Sequence, residues 1–161
     1  MEQKNLSESI LIFGQNIKRI RERSNLDICE LAEKIDYDRN DLSRLEYGEQ
    51  NISYKTAVDF AKKLNVPFQM LFSRNFAVND KEKFCEDNFL MIYIENIKRE
   101  LKAKGMTQAH IYVECGINES TVSRLLTGKK ANPRINTLAL IASAVADGDL
   151  KKLFSRSCDK K

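Results

Sequence analysis

The second half of this chain repeats the pattern of its first half. Residues 16–19, with the sequence NIKR, return as residues 96–99 after 80 positions, and LSRL at 42–45 returns as VSRL at 122–125. Beyond Gly48, which returns as Gly128, the offset drifts by one or two residues, where loops are expected. Such matches in register indicate a tandem duplication of a unit of roughly 60 residues, over residues 10–72 and 89–154.

The composition predicts a globular chain that is rich in helix. Apolar residues make up 42% and charged residues 31% of the 161 residues, and only six Gly and two Pro interrupt them. The longest apolar run, from Phe89 to Ile94, is far shorter than the roughly 20 residues of a membrane span. The polar start MEQKNLSE is not typical of a secretory signal. We therefore expect an all-α protein without a membrane span.

Residues that carry catalytic or metal chemistry are scarce. The four cysteines, Cys29, Cys85, Cys115 and Cys158, include no C-x-x-C pair, which argues against a zinc ribbon and favours a reduced, cytoplasmic chain. One histidine, His110, leaves little scope for a Ser-His-Asp triad or a histidine metal site. The sequence also has no glycine-rich phosphate loop. We expect neither an enzyme nor a metal or cofactor site.

Each unit carries the start and stop signals of about five short helices. The central helices are predicted over residues 28–35, 39–47, 108–115 and 119–126. The residues expected to cap their first N–H groups are Asp27, Asp38, Thr107 and Asn118. Glu30 completes a capping box with Asp27, and a glycine follows the third helix of each unit. A helix–tight turn–helix therefore lies at the centre of each unit.

Signals outside these central helices complete the predicted organisation. In unit two, Asn132 is expected to cap a fourth helix with Pro133 as its first residue, and Pro67 opens the fifth helix of unit one. The charged connector could begin a helix at Asn79 or Asp80. The predicted boundaries are a first domain over 1–72, a connector over 73–88, a second domain over 89–154 and a basic tail over 155–161.

The stretches LAEKIDYDRNDLSRLEYGE (31–49) and TQAHIYVECGINESTVSRLLTGKKANPRINTLALIA (107–142) resemble the lambda-repressor-like helix-turn-helix family, also called Cro/CI or XRE. The shared pattern combines a small buried residue, a turn, a helix cap, Ser-Arg and a final glycine at fixed spacing. The resemblance implies two tandem five-helix domains. In each, the second helix crosses the backbone of duplex DNA and the third enters its major groove.

The resemblance also implies which side chains meet the DNA. Those that read base edges are Arg39, Asn40, Ser43 and Arg44 in unit one, and Glu119, Ser120, Ser123 and Arg124 in unit two. Those that contact phosphate are Tyr47, Gln108, Thr127, Lys129, Lys130 and Arg134. Arginine can bond guanine and asparagine can bond adenine through two hydrogen bonds, whereas phosphate contacts position the protein without reading sequence. The two serines are equally well explained as small residues at a crowded helix crossing.

Each unit departs from the family pattern at one position. Unit one has Ile28 where the family usually begins its second helix with Gln, which unit two keeps as Gln108. Unit two has Tyr112 where the family, and Ala32 in unit one, has a small residue. A phenol at this position must either splay the two helices or point outward.

We therefore expect a sequence-specific transcription regulator, more often a repressor than an activator, that binds duplex DNA with one or both units. The alternative is an interaction protein that uses one or both folds to antagonise or adapt another protein, because fold alone does not determine function. A protein partner on domain 1 is favoured by the acidic residues around its third helix, which are Asp36, Asp38, Asp41, Glu46 and Glu49.

Two further features bear on how the units cooperate. The apolar surplus from Ile10 to Ile12 and from Phe89 to Ile94 predicts that the units are held against each other, or against a second chain in a homodimer. Residues 13–72 hold ten Lys or Arg and ten Asp or Glu, whereas residues 89–154 hold ten and six. Since phosphate contacts dominate non-specific affinity, unit two is expected to supply most of it. Unit one would contribute selectivity or a protein contact.

Overall fold

A computed structural model describes residues 7–77, 79, 81–129 and 132–156 as two helical units. Unit one contains α1 (Glu8–Arg23), α2 (Ile28–Ile35), α3 (Arg39–Glu46), α4 (Tyr54–Leu64) and a 3₁₀ helix (Phe68–Phe72). Unit two contains α5 (Phe89–Ala103), α6 (Gln108–Cys115), α7 (Glu119–Leu126), α8 (Ile135–Val145) and α9 (Leu150–Phe154). No strand longer than a single bridge pair forms among these residues. The predicted all-α class, with two helix-turn-helix units, is confirmed.

Three of the four predicted caps form. Asp27 and Glu30 make the reciprocal capping box of α2, with the side chain of each accepting the other's backbone N–H at 2.8 and 2.7 Å. Asp38 and Asn118 accept N–H groups from the first turns of α3 and α7 at 3.0 and 2.8 Å. Thr107 precedes α6 as predicted, but its side chain makes no capping hydrogen bond.

The predicted start of the fourth helix in unit two is wrong. Helix α8 begins at Ile135, so Asn132 does not cap it and Pro133 is not its first residue. The carbonyl of Pro133 instead accepts the N–H of Tyr54 in unit one, at 2.8 Å. A contact between units, which rules for local capping do not consider, therefore holds this segment extended. Pro67 likewise precedes the 3₁₀ helix of unit one rather than forming its first residue.

The connector over residues 73–88 is not helical where the structure describes it, so the predicted helix there is wrong. The carbonyl of Asn79 accepts the N–H of Glu82 at 3.1 Å, which makes a turn that does not continue. Asp80, the other predicted cap, lies outside the described residues. Farther along, the N–H of Phe84 donates to the side chain of Asn65 at 3.2 Å. This bond attaches the connector to unit one and competes with helix formation.

The repeated NIKR motif closes each unit. The side chain of Asn16, which is fully buried, donates to two carbonyls at the end of the 3₁₀ helix, both at 2.9 Å. Asn96 donates in the same way to two carbonyls at the end of α9, at 2.8 and 3.0 Å. Arg19 and Arg99 each donate to the oxygen of the neighbouring asparagine. The motif therefore satisfies the last carbonyls of each unit.

One glycine makes the two units differ in their helix packing. A Cβ atom on Gly14 would lie 1.9 Å from the carbonyl oxygen of Leu45, so α1 and α3 can approach this closely only because residue 14 has no side chain. The equivalent residue in unit two is Ile94, which is buried. Helix α5 consequently contacts α7 far less than α1 contacts α3.

The two units share an aromatic core. The ring of Phe154 packs between units, with centroids 6.4, 4.8 and 5.3 Å from Tyr54, Phe68 and Phe72. Phe89 of unit two lies 4.7 Å from Phe68 of unit one, and α1 packs on α8. The two units are therefore held against each other within one chain, which is one of the two arrangements that the sequence predicted.

The apolar surplus that suggested a homodimer is largely used in this core. Ile10 and Ile92 are buried, whereas Leu11 and Met91 stay 39% and 44% exposed. The homodimer remains a prediction. No helix formed by the described residues is long and apolar enough to cross a membrane.

Equivalent residues of the two units pair with each other. Ser53 and Arg134, 81 positions apart, form an antiparallel bridge. It is flanked by two reciprocal backbone hydrogen bonds, from Tyr54 to Pro133 and from Ile135 to Ile52, both at 2.8 Å. Contacts between equivalent residues are the mark of a two-fold interface. The units are therefore related by a local two-fold axis that passes near this bridge.

The same axis relates two caps that cross between the units. Asn132 of unit two accepts the N–H of Lys55, in the first turn of α4, at 2.9 Å. Asn51 of unit one accepts the N–H of Asn136, in the first turn of α8, at 3.1 Å. Each unit thus supplies a helix cap that the other unit uses.

Candidate nucleic-acid interface

Helix α3 separates a buried face from a polar, solvent-facing side. Leu42 and Leu45 are fully buried and fix the helix against unit one. Arg39, Asn40 and Arg44 are exposed. Ser43 is half-buried, as expected at a helix crossing. The predicted base-reading side chains of unit one therefore lie together on one rigid helix.

Helix α7 has the same arrangement with different chemistry. Val122 and Leu125 are fully buried, and the outward side chains that sequence reasoning selected are Glu119, Ser120, Ser123 and Arg124. The Ser120 hydroxyl donates to the capping oxygen of Asn118 at 2.5 Å. The donor of Ser120 is thus engaged in the cap, and its oxygen remains an acceptor. Glu119 and Arg124 are the exposed charged groups of this helix.

The exposed guanidinium groups are available for an external partner. Arg44 and Arg124 make no ion pair with any residue that the structure describes. Arg39 donates to the sulfur of Cys29 at 3.7 Å, and this contact raises the pKa of the arginine. All three side chains are therefore exposed to an external partner.

The predicted phosphate contacts differ in their surroundings. Tyr47 directly follows α3 with 68% of its surface exposed, whereas the Thr127 hydroxyl donates back to the carbonyl of Ser123 at 2.8 Å. Lys129 is exposed, and Lys130 lies outside the described residues. Arg134 is exposed too, but it lies at the bridge between the units.

Sequence reasoning missed Lys18 as part of this surface. Its ammonium group lies 5.8 Å from the centre of the Tyr47 ring, a cation–π geometry. The signal was present, because Lys18 belongs to the repeated NIKR motif and returns as Lys98. The sequence comparison of the two units used this motif as a sign of the duplication and assigned its lysine no function.

The N-termini of α2 and α6 carry opposite electrostatics. In α2, the carboxylates of Asp27 and Glu30 already accept the first N–H groups. In α6, Thr107 makes no side-chain cap and the first turn has no acidic residue. The partial positive charge of a helix N-terminus favours phosphate, so α6 is suited to a phosphate contact and α2 is not.

Tyr112 does not separate the helices of unit two. It is half-buried, and its hydroxyl donates to the side-chain oxygen of Gln108 one turn earlier, at 3.1 Å. Helix α6 still packs on α7. The phenol lies along α6, and its hydrogen bond leaves the amide NH₂ of Gln108 as the donor group at the helix start.

Two acidic residues that favoured a protein partner have structural roles. Glu46 is only 6% exposed and receives two hydrogen bonds from Arg21, at 2.8 and 3.0 Å. Asp38 caps α3. The acidic surface of unit one is therefore smaller than its sequence indicates, although Asp36 and Glu49 are exposed.

In the described part of the chain, no metal ligands cluster and the Cys115 thiol is not suited to reaction. No three His, Cys, Asp or Glu side chains there cluster at metal-binding distances. Cys115 is half-buried, its thiol donates to the carbonyl of Leu140 at 3.1 Å, and burial raises its pKa. A raised pKa disfavours the reactive thiolate.

Comparisons with known proteins agree with this geometry. A family model described as helix-turn-helix matches the chain twice, over residues 17–71 and 97–145. A protein designated P2, of the Acyrthosiphon pisum secondary endosymbiont phage 1, is 42% identical over 45 residues, which are 28% of this chain. The matched region covers 48% of that phage protein, whose name states no function. No solved structure matches the chain.

Proposed function

Because the chain belongs to the Cro/CI-type helix-turn-helix family of DNA-binding regulators, in two tandem copies, we propose that it binds specific sites in duplex DNA and regulates transcription. It would do so as a repressor in the cytoplasm, by occupying an operator. The observation that carries the proposal is the exposed group of Arg39, Asn40 and Arg44 on a helix fixed from behind by buried leucines. These side chains are competent to read guanine and adenine in a major groove.

Within this function, the two units have different tasks. Unit two supplies most of the affinity for phosphate, because it carries the whole positive excess and its α6 N-terminus has no acidic residue in the first turn. Unit one supplies selectivity through α3. Its own α2 N-terminus is occupied by two carboxylates, which repel phosphate.

A gel shift with the full chain tests DNA binding directly. Random-sequence duplex at low salt should shift at micromolar protein, and the affinity should fall steeply as salt rises. A variant with Arg44→Ala and Arg124→Ala, which removes two unpaired cations, should bind more weakly. The absence of any shift at micromolar protein contradicts the proposal.

Replacing Lys129 and Lys130 with Ala should weaken binding to all sequences alike. Each phosphate contact contributes about 0.9 to the slope of log K against log salt, so the slope should flatten by up to about 2. The measurement is a salt titration by fluorescence anisotropy. Lys81→Ala with Lys83→Ala, which removes the same charge from the exposed connector, is the matched control. An equal effect from the control would contradict a local phosphate contact.

Arg44→Ala or Asn40→Ala should instead relax sequence preference. Each should cost about 1–3 kcal/mol on the best site and much less on unrelated duplex, because base contacts act only on the matching sequence. Competition binding with selected and scrambled duplexes measures the difference. Lys83→Ala serves as the control. A uniform loss across sequences would assign these residues to phosphate rather than to bases.

The second candidate function is contact with a protein through unit one. It is favoured by the exposed carboxylates of Asp36 and Glu49 and by those of Asp27 and Glu30 at the start of α2. These carboxylates form an acidic surface that is unsuited to DNA. The exposed Leu11 and Met91 offer a smaller apolar surface for a second copy of the chain. If this candidate is right, charge reversal at Asp36 and Glu49 should leave the affinity for DNA unchanged, or raise it. The same change should abolish the effect of the protein on transcription.

A further inference from the structure

We propose that one chain acts as a built-in pseudo-dimer, which occupies two unequal half-sites of a DNA operator in a single orientation. The inference rests on the proposed DNA binding and adds the number of chains, the number of half-sites and the direction of the site. It is carried by the two-fold arrangement of the units and by the different side chains of α3 and α7.

The interface between units has the pattern that is normally found between two identical subunits. Ser53 bridges its own equivalent, Arg134, and the flanking bonds are reciprocal. Phe72 contacts its own equivalent, Phe154, with 5.3 Å between ring centres. A surface that is self-complementary in this way closes as a pair and needs no further copy. Here both members of the pair belong to one chain.

The axis also fixes the height of the two third helices. Rotation about an axis keeps the height along it, so α3 and α7 lie at the same level. Both also lie close in sequence to the bridge that marks the axis. Six residues separate the end of α3 from Ser53, and seven separate the end of α7 from Arg134. Such segments span at most about 29 Å each, which accommodates the ~34 Å between successive major grooves.

The crossed caps make this relation rigid. Asn51 accepts an N–H in the first turn of α8, and Asn132 accepts one in the first turn of α4, so the start of each helix is bonded to a residue of the other unit. Rotation of one unit against the other would break both caps and the bridge together. The two helices should therefore address DNA at a single spacing.

The two half-sites must differ, because the reading helices do. At equivalent positions α3 presents Arg39 and Asn40, whereas α7 presents Glu119 and Ser120. Arginine is suited to guanine acceptors, while a glutamate accepts from cytosine and is repelled by phosphate. One chain would therefore bind an operator that is only approximately palindromic, and in one direction.

Selection of bound sequences from a random duplex pool, with the full chain, begins the test. We expect two different half-sites with centres about 10 base pairs, or a multiple of one helical turn, apart. Sedimentation of the complex should show one chain bound to each operator, that is, to each pair of half-sites. Inserting five base pairs between the half-sites turns one of them to the opposite face of the duplex and should weaken binding by at least about tenfold.

Variants assign each unit to its half-site. Arg39→Ala should relax selection in one half-site only, and Glu119→Ala in the other only, whereas the exposed Gln15→Ala should change neither. Replacing either half-site by a copy of the other should weaken binding by several-fold or more, since one helix then faces the wrong bases.

The outcomes separate this inference from the function on which it rests. Two chains on one site, a perfectly symmetric optimum, a single half-site, or tolerance of the five-base-pair insertion would overturn the pseudo-dimer and leave DNA binding intact. No enriched sequence together with no gel shift would contradict DNA binding itself.

Discussion

Replacing Phe154 with Ala is expected to lower the free energy of unfolding by about 3–5 kcal/mol, because it removes a fully buried ring. The ring lies at the centre of the aromatic core, packed against Phe68 and Phe72 of unit one and against Tyr93 of its own unit. The lost contacts therefore belong to both units. Urea unfolding followed by circular dichroism measures the change.

Hydrogen exchange would show which parts of the chain lose stability in this variant. In Phe154→Ala, the bridge N–H groups of Tyr54 and Ile135 should lose protection more than those inside α2 and α6. Phe60→Ala removes another buried ring, which packs against Phe13 and Tyr37 within unit one, and serves as the control of similar size. A loss confined to unit two would contradict a core that both units share.

Glu46→Ala is expected to destabilise the chain by about 3–5 kcal/mol, because it leaves the Arg21 guanidinium without its partner. The two side chains are 17% and 5% exposed and join through paired hydrogen bonds at 2.8 and 3.0 Å. Arg21 also donates to the carbonyl of Leu26 at 3.2 Å. Truncation would therefore disturb a partly buried charge and the turn that follows α1.

Unit two indicates how this loss can be reversed. At the equivalent positions, 80 residues later, it has Leu101 and Leu126, which are 7% and 2% exposed. Replacing both Arg21 and Glu46 with Leu should therefore return stability to within about 1 kcal/mol of the natural chain, or above it. Glu33→Ala, on the exposed side of α2, is the control. A double variant as unstable as Glu46→Ala would mean that the pair has a role beyond filling the site.

Local signals were sufficient for most of the fold. The capping box at Asp27 and Glu30 and the cap at Asp38 depend on residues three positions apart, so short-range rules found them. The same rules failed at Asn132 and in the connector. Asn132 bonds to Lys55, 77 residues away, and Phe84 bonds to Asn65 across a turn of the chain. A cap that is shared between units cannot be deduced from the spacing around either residue alone.

The candidate interface was predictable in outline but not in detail. Helical period and family resemblance select the outward residues of α3 and α7, and these lie exposed or half-buried as expected. The resemblance cannot tell which donors are already used, as those of Ser120 and Thr127 are. It also groups Arg134 with unit two, whereas this residue lies where both units meet. How each side chain contributes to DNA binding remains a prediction.

The joining of two equivalent units in one chain has a consequence for how such a protein can change over generations. In a pair of identical subunits, a single codon change alters both third helices, so the preferences of both halves change at once. Here a change in α3 leaves α7 as it was, and the shared core keeps the geometry of both. If the chain binds DNA as proposed, new preferences can therefore accumulate one residue at a time in one half, while the other half retains its contacts.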